Sequence, residues 1–251
     1  MLYTLGLGLS ETFDRSKTHI LTLSFDDGFK KSFYKVAEIY KEHGLRACLN
    51  VVALGHVHGA VKDEWIEKSP LGDFNDWNKL KSAGHEVMLH TYDHKNLTQL
   101  PLSEAKENID KCFEYFEKNL QGFKTSEAVY NFAYNESTLE LDQYVLKRAR
   151  AIRTDAGLVL SGLNKINPLP KNEKAFRLGC LAYGPGLGDE HVDSFVNDFL
   201  AKPNGWLIIN LHGLDDEGWG PISSKYLDGL LKRCRKIENL EVVPTGEVVN
   251  R

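Results

Sequence analysis

The residues best suited to chemistry in this 251-residue chain are carboxylates and histidines that follow short apolar runs. The first group is Asp26-Asp27-Gly28, directly after the apolar run at residues 19–25. Two adjacent carboxylates at the end of a buried strand are costly unless they bind a metal, form ion pairs or reach solvent. An exposed Asp-Gly turn before the next helix explains the same residues equally well. Taken alone, this group leaves both interpretations open.

The other two groups contain histidine. His90 and His94 stand four residues apart after an apolar run, and a tight turn at that spacing can aim both imidazoles at one metal ion. His212 follows residues 206–211, the most apolar run in the chain. Each histidine taken singly also fits a structural role, either as a surface residue or as a hydrogen-bonded side chain in the core.

The elements that must position these groups alternate between short apolar runs and longer amphipathic ones, a pattern typical of a largely parallel sheet or barrel. Strands are predicted at residues 19–25, 47–54, 86–89, 129–134, 152–155, 176–182, 206–211 and 240–243. Helices are predicted at residues 29–43, 73–83, 103–120, 137–148, 190–201 and 223–236, with Asp73, Ser103 and Ser137 as N-caps. Long loops at residues 55–71 and 158–174 are expected to shape the cleft, because loops after strands usually hold the site.

In combination, the three groups resemble the polysaccharide-deacetylase family, which is the NodB-homology group or carbohydrate esterase family 4. The first motif of that family, Thr/Ser-Phe-Asp-Asp-Gly, matches residues 24–28. Its second motif, His-Ser/Thr-x-x-His, matches residues 90–94, and its late motif, which pairs a hydrophobic residue with His, fits Leu211 and His212 in the run Asn-Leu-His. The resemblance spans about residues 19–245.

This resemblance implies a single catalytic domain over residues 1–251 with a distorted (β/α) barrel fold. It implies that Asp27, His90 and His94 bind a divalent metal ion, that Asp26 is the general base, and that His212 is the general acid. Zn²⁺ is the default ion for two imidazoles and one carboxylate, and Co²⁺, Ni²⁺, Fe²⁺ and Mn²⁺ are chemically possible.

The chain departs from the family at the third motif, Arg-x-Pro-Tyr/Phe. Residues 132–134 (Phe-Ala-Tyr) agree with a related form of that motif, but no Arg is present nearby. In the family this Arg orients the base, so Asp26 needs another partner. Arg153 and Arg177 both lie on predicted strands, where an Arg suggests a carboxylate partner. We predict that Arg177 holds Asp26; the alternative is an ordinary residue at the rim of the barrel.

Several aromatic residues are candidates for the substrate groove. Tyr134 belongs to the third-motif segment, and Trp219 lies in the loop after His212, where it can stack on a sugar. The fourth motif of the family, which supports the acid, is not recognisable in this chain. Trp65 and Trp77 are further candidates for stacking on a sugar, and burial in the core is the alternative for both. His56 and His58 are candidates for facing the site. Asp155 is a candidate partner for His212.

Composition argues against several other classes of protein. The net charge is −4 and no Lys/Arg stripe alternates with aromatic residues, so no nucleic-acid partner is expected. No apolar run approaches the roughly 20 residues that span a bilayer. The four cysteines are far apart and are predicted to be reduced core residues. Residues 1–17 do not resemble a signal peptide, which favours a cytoplasmic protein or one whose leader has been removed.

The resemblance to the polysaccharide-deacetylase family implies a metal-dependent hydrolase that removes N- or O-linked acetyl groups from a carbohydrate. One alternative is an amidohydrolase with the same fold and metal, acting on a small cyclic amide or a formyl group; the missing third-motif Arg favours it. The other is an inactive sugar-binding relative. Retention of all five motif residues argues against the inactive relative, because a decayed site usually loses a ligand or the acid.

Overall fold

A computed structural model describes residues 17–161, 165–171, 173–186 and 188–251. The strands are β1 (His19–Phe25), β2 (Cys48–Val51), β3 (Glu86–Leu89), β4 (Val129–Asn131), β5 (Ala151–Asp155), β6 (Phe176–Cys180), β7 (Gly205–Leu211) and β8 (Leu240–Val242). The α-helices are α1 (Lys30–Glu42), α2 (Phe74–Ser82), α3 (Leu102–Asn119), α4 (Leu139–Val145), α5 (Ala156–Val159), α6 (Gly188–Leu200), α7 (Ser224–Cys234) and α8 (Thr245–Val249). All of the predicted strands are present, although several are shorter than predicted.

The strands form one parallel sheet in the order β6-β5-β4-β3-β2-β1-β7. β8 pairs with the first part of β1, at residues 19–21, whereas β2 pairs with its last part, at residues 24 and 25. Leu181, directly after β6, pairs with Ile209 of β7, so the two ends of the curled sheet meet. The result is the distorted (β/α) barrel that the sequence predicts.

Alternation along the strands divides the barrel into two buried clusters. In β1, Leu21, Leu23 and Phe25 belong to a large outer cluster that includes side chains of the surrounding helices, whereas Ile20 joins an inner cluster with Trp206 of β7. Successive side chains of a strand point to opposite faces of the sheet, and parallel sheets are covered on both faces. This explains why the strands appear in the sequence as almost continuous apolar runs.

Towards the carboxyl ends of the strands, the inner face of the barrel becomes polar. Ser24, Asn50, Asn131, Arg153 and Asn210 are all buried there, each on a different strand. Buried polar groups must be hydrogen-bonded to avoid a large desolvation cost. The network they form lies directly beneath the candidate active site.

The amino-terminal end of the barrel is closed by the short helix α8. The Glu86 carboxylate accepts hydrogen bonds from the backbone N–H groups of Gly246 (3.0 Å) and Glu247 (3.1 Å) and from the Thr245 hydroxyl (3.0 Å). Val248 and Val249 then join the inner apolar cluster. Burial raises the pKa of Glu86, although these donors oppose the shift.

The predicted helix caps had mixed outcomes. Asp73 caps α2 as predicted and forms a capping box with Asp76. The prediction for Ser103 was wrong, because α3 already begins at Leu102 after Pro101. Ser137 was also wrong, since the hydroxyl of Thr138 caps α4 instead. The two errors arise because helix boundaries are easily displaced by one or two residues when several polar residues are adjacent.

All four cysteines are free and buried, as the sequence predicts. Among the described residues, no helix combines the length and the apolar character required to cross a membrane.

Candidate active site

The Asp-Asp-Gly group forms a tight, strained turn at the end of β1. Asp27 adopts a left-handed conformation with φ of 77°, and the Gly28 N–H donates to the Asp26 carbonyl across it. A γ-turn with positive φ at its centre is rare and strained. Its effect is that two consecutive carboxylates both line the same cleft, where an extended strand would send them to opposite faces.

The His-Thr-x-x-His group is a second strained turn, after β3. Thr91 and His94 have φ of 61° and 57°, which is uncommon for residues with a β-carbon and especially for a β-branched one. The Thr91 hydroxyl accepts a hydrogen bond from the His94 backbone N–H at 3.1 Å. This bond explains the hydroxyl residue at the second motif position, because it closes the turn that brings His94 beside His90.

Asp27, His90 and His94 converge on one point. The Asp27 Oδ1 atom lies 3.3 Å from Nε2 of His90 and 3.3 Å from Nε2 of His94. This is the only cluster of three such side chains among the described residues whose ligand atoms all lie within 4.8 Å of one another. Asp27 Oδ1 is buried and accepts no hydrogen bond from any described residue. A buried carboxylate oxygen without a donor is costly unless a cation binds to it.

The electrostatics of this cluster suit a positive charge. Burial acts to lower the pKa of His94, but Asp27 and Asp63 outweigh it and raise that pKa to about 9. The raising effect of burial on the pKa of Asp27 is outweighed by the lowering effect of His90 and His94, so this pKa lies well below its usual range. The two carboxylates thus favour positive charge at His94, and the same negative charge favours a divalent metal ion, which would take the place of the His94 proton.

The surroundings of His90 select which of its nitrogens faces Asp27. Its Nδ1 donates to the Asn131 carbonyl at 3.1 Å, which leaves Nε2 directed at the cluster. A hydrogen bond from the second ring nitrogen of a metal-binding histidine fixes the tautomer and the ring orientation. His90 therefore has the arrangement of a metal ligand.

Asp26 is buried and receives three strong donors. Its Oδ2 accepts from Arg153 at 2.6 Å and from the Asn210 amide at 2.7 Å, and its Oδ1 accepts from the Asn50 amide at 2.8 Å. Charge-assisted hydrogen bonds of this kind hold a carboxylate in one orientation. The arrangement matches what a general base needs, namely a fixed carboxylate at the edge of the cleft.

The prediction that Arg177 holds Asp26 was wrong. Arg177 Nε and Nη2 donate to Asp142 of α4 at 2.8 and 2.6 Å, on the outer side of the sheet. Its neighbours Phe176 and Leu178 belong to the inner cluster, so alternation directs Arg177 outwards. Arg153 is the inward-facing arginine.

Arg153 reaches Asp26 from the strand next to the third-motif segment. It is the register partner of Asn131, whose Oδ1 accepts from Arg153 Nε at 2.8 Å. Two asparagines of this network, Asn50 and Asn210, were missed by the sequence analysis. The available signal was a single asparagine within each of two otherwise apolar strands.

His212 follows β7 and lines the same cleft as Asp26. Its ring contacts Trp219 edge to face, with centroids 5.5 Å apart. Burial lowers the pKa of His212 below its usual range, while Asp27 and Asp26 oppose the shift. A histidine of this kind gives up its proton readily. Asp155, the predicted partner of His212, uses Oδ1 to cap α5 by accepting from the Gly157 N–H at 2.7 Å.

The loop after His212 is held by a buried carboxylate. Glu217 Oε2 accepts from both the backbone N–H and the hydroxyl of Ser32, at 2.7 and 2.6 Å. The loop is wound so tightly that a β-carbon at Gly213 would collide with the Glu217 carbonyl oxygen. This packing places Trp219 against His212, and the sequence analysis did not single out Glu217.

The candidate residues surround one cleft of about 490 Å³, a size usual for a small-molecule site. Its lining residues are Asp26, Asp27, Asp63, Trp65, Ile66, His90, His94, Tyr134, Asn135, Glu136, Asp155, Ala182, Asn210, His212 and Trp219. Neither Lys nor Arg is among these described lining residues.

The structure separates the candidate aromatic residues and histidines of the sequence analysis into two groups. Trp65, Tyr134 and Trp219 line the cleft, and Tyr134 is 51% exposed. Trp77 lies in the core, where it packs against Phe33. The other candidates that do not line the cleft are His58 and His56, and the ring of His56 packs on Phe74 and Tyr115 instead.

Comparisons with known proteins bear on this geometry. A family model described as polysaccharide deacetylase matches residues 14–151, more than half of the 251 residues. The chain belongs to the polysaccharide deacetylase family. The resemblance found in the sequence motifs is thereby confirmed. No match was found among curated protein sequences.

Solved structures share the fold of this polysaccharide deacetylase family member at low sequence identity. A candidate polysaccharide deacetylase from Mycobacterium smegmatis has a TM-score of 0.68 at 12% identity, covering 95% of this chain and 91% of its own. The peptidoglycan deacetylase PdaC from Bacillus subtilis has a TM-score of 0.54 at 15% identity, with coverages of 93% and 91%. A CE4 family pseudoenzyme from Bacillus anthracis has a TM-score of 0.56 at 14% identity, with coverages of 93% and 66%.

Proposed function

We propose that this protein is a metal-dependent hydrolase that removes acetyl groups from a carbohydrate. The observation that carries the proposal is the convergence of Asp27, His90 and His94 on one point, with the Asp27 oxygen buried and without a donor. These three side chains would bind a divalent ion, with Zn²⁺ as the first choice. Such an ion lowers the pKa of a water molecule and polarises a carbonyl group.

The remaining chemistry belongs to Asp26 and His212. Asp26, fixed by Arg153 and two amides, accepts the proton of the attacking water. His212, directly after β7, the strand next to β1, delivers a proton to the departing amine or alcohol. Two groups with opposite tasks are thus positioned at the ends of adjacent strands, β1 and β7.

The cleft supports a carbohydrate as the substrate. Three aromatic side chains, Trp65, Tyr134 and Trp219, offer apolar faces on which sugar rings can stack. The absence of Lys and Arg from the described lining favours an uncharged sugar over a phosphorylated or carboxylated one. PdaC is described as a peptidoglycan deacetylase, so oligomers of N-acetylglucosamine are the first substrates to test.

Similarity of fold does not by itself imply activity, since one similar structure is a CE4 pseudoenzyme. Activity is supported here by the residues of the chain, because the candidate base, acid and ligands all line one cleft.

Two measurements test the proposal. The purified protein should bind about one Zn²⁺ per chain, and the variant His90→Ala should bind none at the same concentration. Acetate release from acetylated chito-oligosaccharides should depend on the added ion and should be abolished by a chelator. Release of ammonia or formate from small amides, without acetate from sugars, would replace this proposal with the amidohydrolase alternative.

The variant Asp26→Asn separates metal binding from proton transfer. It should bind Zn²⁺ with an affinity close to wild type while losing at least about 100-fold in turnover, the usual contribution of a general base. Wild-type turnover in this variant would show that Asp26 is not the base.

A further inference from the structure

Asp63 lies in the loop between β2 and α2, residues 55–71, which we call the 55–71 loop. Its Oδ2 lies 3.3 Å from His94 Nδ1, the ring nitrogen that does not face Asp27. Its Oδ1 accepts hydrogen bonds from the backbone N–H groups of Trp65 at 2.9 Å and Ile66 at 3.3 Å. One carboxylate therefore contacts both a metal-ligand candidate and the backbone of a loop that lines the cleft.

Tyr134 contacts the same carboxylate oxygen as His94 does. Its hydroxyl donates to Asp63 Oδ2 at 2.9 Å, and its ring lies against His94 with centroids 4.9 Å apart. Tyr134 adopts φ of 58°, a left-handed conformation that is costly for a tyrosine. Strain of this kind persists only where surrounding contacts enforce it. Here the backbone conformation places the tyrosine where it contacts both Asp63 and His94.

We propose that Asp63 is a positioning residue for His94, and that through it the 55–71 loop is coupled to occupancy of the metal site. A carboxylate on the second nitrogen of a metal-binding histidine fixes the ring and strengthens its nitrogen as a ligand. Coupling between two sites is reciprocal, so an ion that orders His94 also orders the loop that carries Trp65. This inference rests on the metal site of the proposed function.

The loop has a second anchor that does not involve Asp63. Val61 and Ile66 pack in a small buried cluster with Phe29 and Val52, and Leu71 pairs with Phe29. Removal of the Asp63 carboxylate should therefore loosen residues 62–65 while Val61, Ile66 and Leu71 stay packed. Variants at residue 63 are expected to fold, which makes the coupling measurable.

Zn²⁺ affinity, measured by calorimetry, tests the positioning role. Asp63→Asn should lower the affinity by about 10–100-fold, the usual effect of losing such a partner. Asp63→Glu, which keeps the carboxylate, should recover part of the loss, and Tyr134→Phe should weaken binding less than Asp63→Asn. Glu64→Gln is the matched control, because it removes an equal charge from the adjacent, exposed position. It should bind Zn²⁺ as the wild type does.

Limited trypsin digestion tests the coupling to the loop, which contains the exposed residues Lys62 and Lys68. Zn²⁺ should slow cleavage after these lysines in the wild type and in Glu64→Gln, but much less in Asp63→Asn. Affinity of Asp63→Asn within about twofold of wild type, or equal protection in both proteins, would overturn the inference alone. A wild-type protein that binds no Zn²⁺ would overturn the proposed function together with it.

Discussion

At the scale of single residues, Asp26 shows how the site is held. A buried carboxylate is tolerated only when its charge is compensated, and Asp26 contacts Arg153 and two amides. Asp27 and His94, which line the same cleft, and Thr91, which closes the turn before His94, all have strained conformations. Strain collected at a site is commonly part of its preorganisation, and the packing of the rest of the barrel offsets its cost.

Loss of the Arg153 side chain should destabilise the whole protein. Arg153→Met leaves the buried Asp26 charge with two amide donors but no counter-charge, so the free energy of unfolding in urea should fall by about 3–5 kcal/mol. The double variant Arg153→Met/Asp26→Asn should regain a large part of that loss, because the uncompensated charge is gone. Strictly additive effects of the two substitutions would show that the pair is not coupled.

At the scale of elements, neighbouring strands are joined by side chains as well as by the backbone ladder. His85, just before β3, accepts a hydrogen bond from the Ala47 backbone N–H through Nδ1 at 3.1 Å. Only the neutral imidazole can accept this bond. Burial lowers the pKa of His85 below its usual value of 6.5, and Lys41 adds to the effect.

The contribution of His85 to stability should therefore depend on pH. A group with a depressed folded-state pKa stabilises fully above its unfolded-state pKa of about 6.5, and this stability is lost as the pH falls through the folded-state pKa. Wild type should be more stable than His85→Asn at about pH 8, and this difference in unfolding free energy should shrink as the pH falls to about 5. A difference that stays constant over this range would contradict the assignment.

The loop after β7 is an element without regular structure whose shape depends on Glu217. Glu217→Ala leaves the buried Ser32 N–H and hydroxyl without their acceptor, so unfolding free energy should fall by about 1–3 kcal/mol. Acetate release should also fall, because Trp219 is no longer held against His212. The adjacent Asp216 forms an exposed ion pair with Lys31 and provides the control. Asp216→Asn should match wild type in both measurements, and an equal effect of the two substitutions would contradict a specific role for Glu217.

At the scale of the whole molecule, the barrel protects every cysteine. Burial raises the pKa of Cys180 and Cys234 to about 11, and it also raises the pKa of Cys48 and Cys112. The thiolate is the reactive form, so both burial and pKa suppress reaction. A thiol reagent at about pH 8 should label none of the four cysteines in the native protein and all four in denaturant. Rapid native labelling of any one would indicate local opening of the barrel.

Motif residues are where the sequence was most informative. Asp26, Asp27, His90, His94 and His212 were predicted together, and the structure places all five on one cleft. This was possible because each follows an apolar run, and the carboxyl ends of parallel strands meet at one end of a barrel. The identity of the ion and the roles of the five residues stay predictions.

Side-chain direction was less accessible from the sequence. Arg153 and Arg177 lie on adjacent strands in nearly equivalent sequence contexts, yet one points into the barrel and the other out. In strands that are covered on both faces, odd and even positions are both apolar, so the sequence does not reveal which of them point into the barrel. The same ambiguity concealed the inner-face asparagines Asn50 and Asn210.

The sequence by itself determined the order of strands and helices and the residue types at the strand ends, because both follow from local patterns. Tertiary structure decided which arginine meets Asp26, that Asp63 reaches His94 from a distant loop, and that Glu217 fixes the loop after His212. The last two contacts join residues separated by 31 and 185 positions, and the first joins residues 127 positions apart. Such contacts depend on register, curvature and packing of the closed barrel, none of which is encoded in the spacing of neighbouring residues.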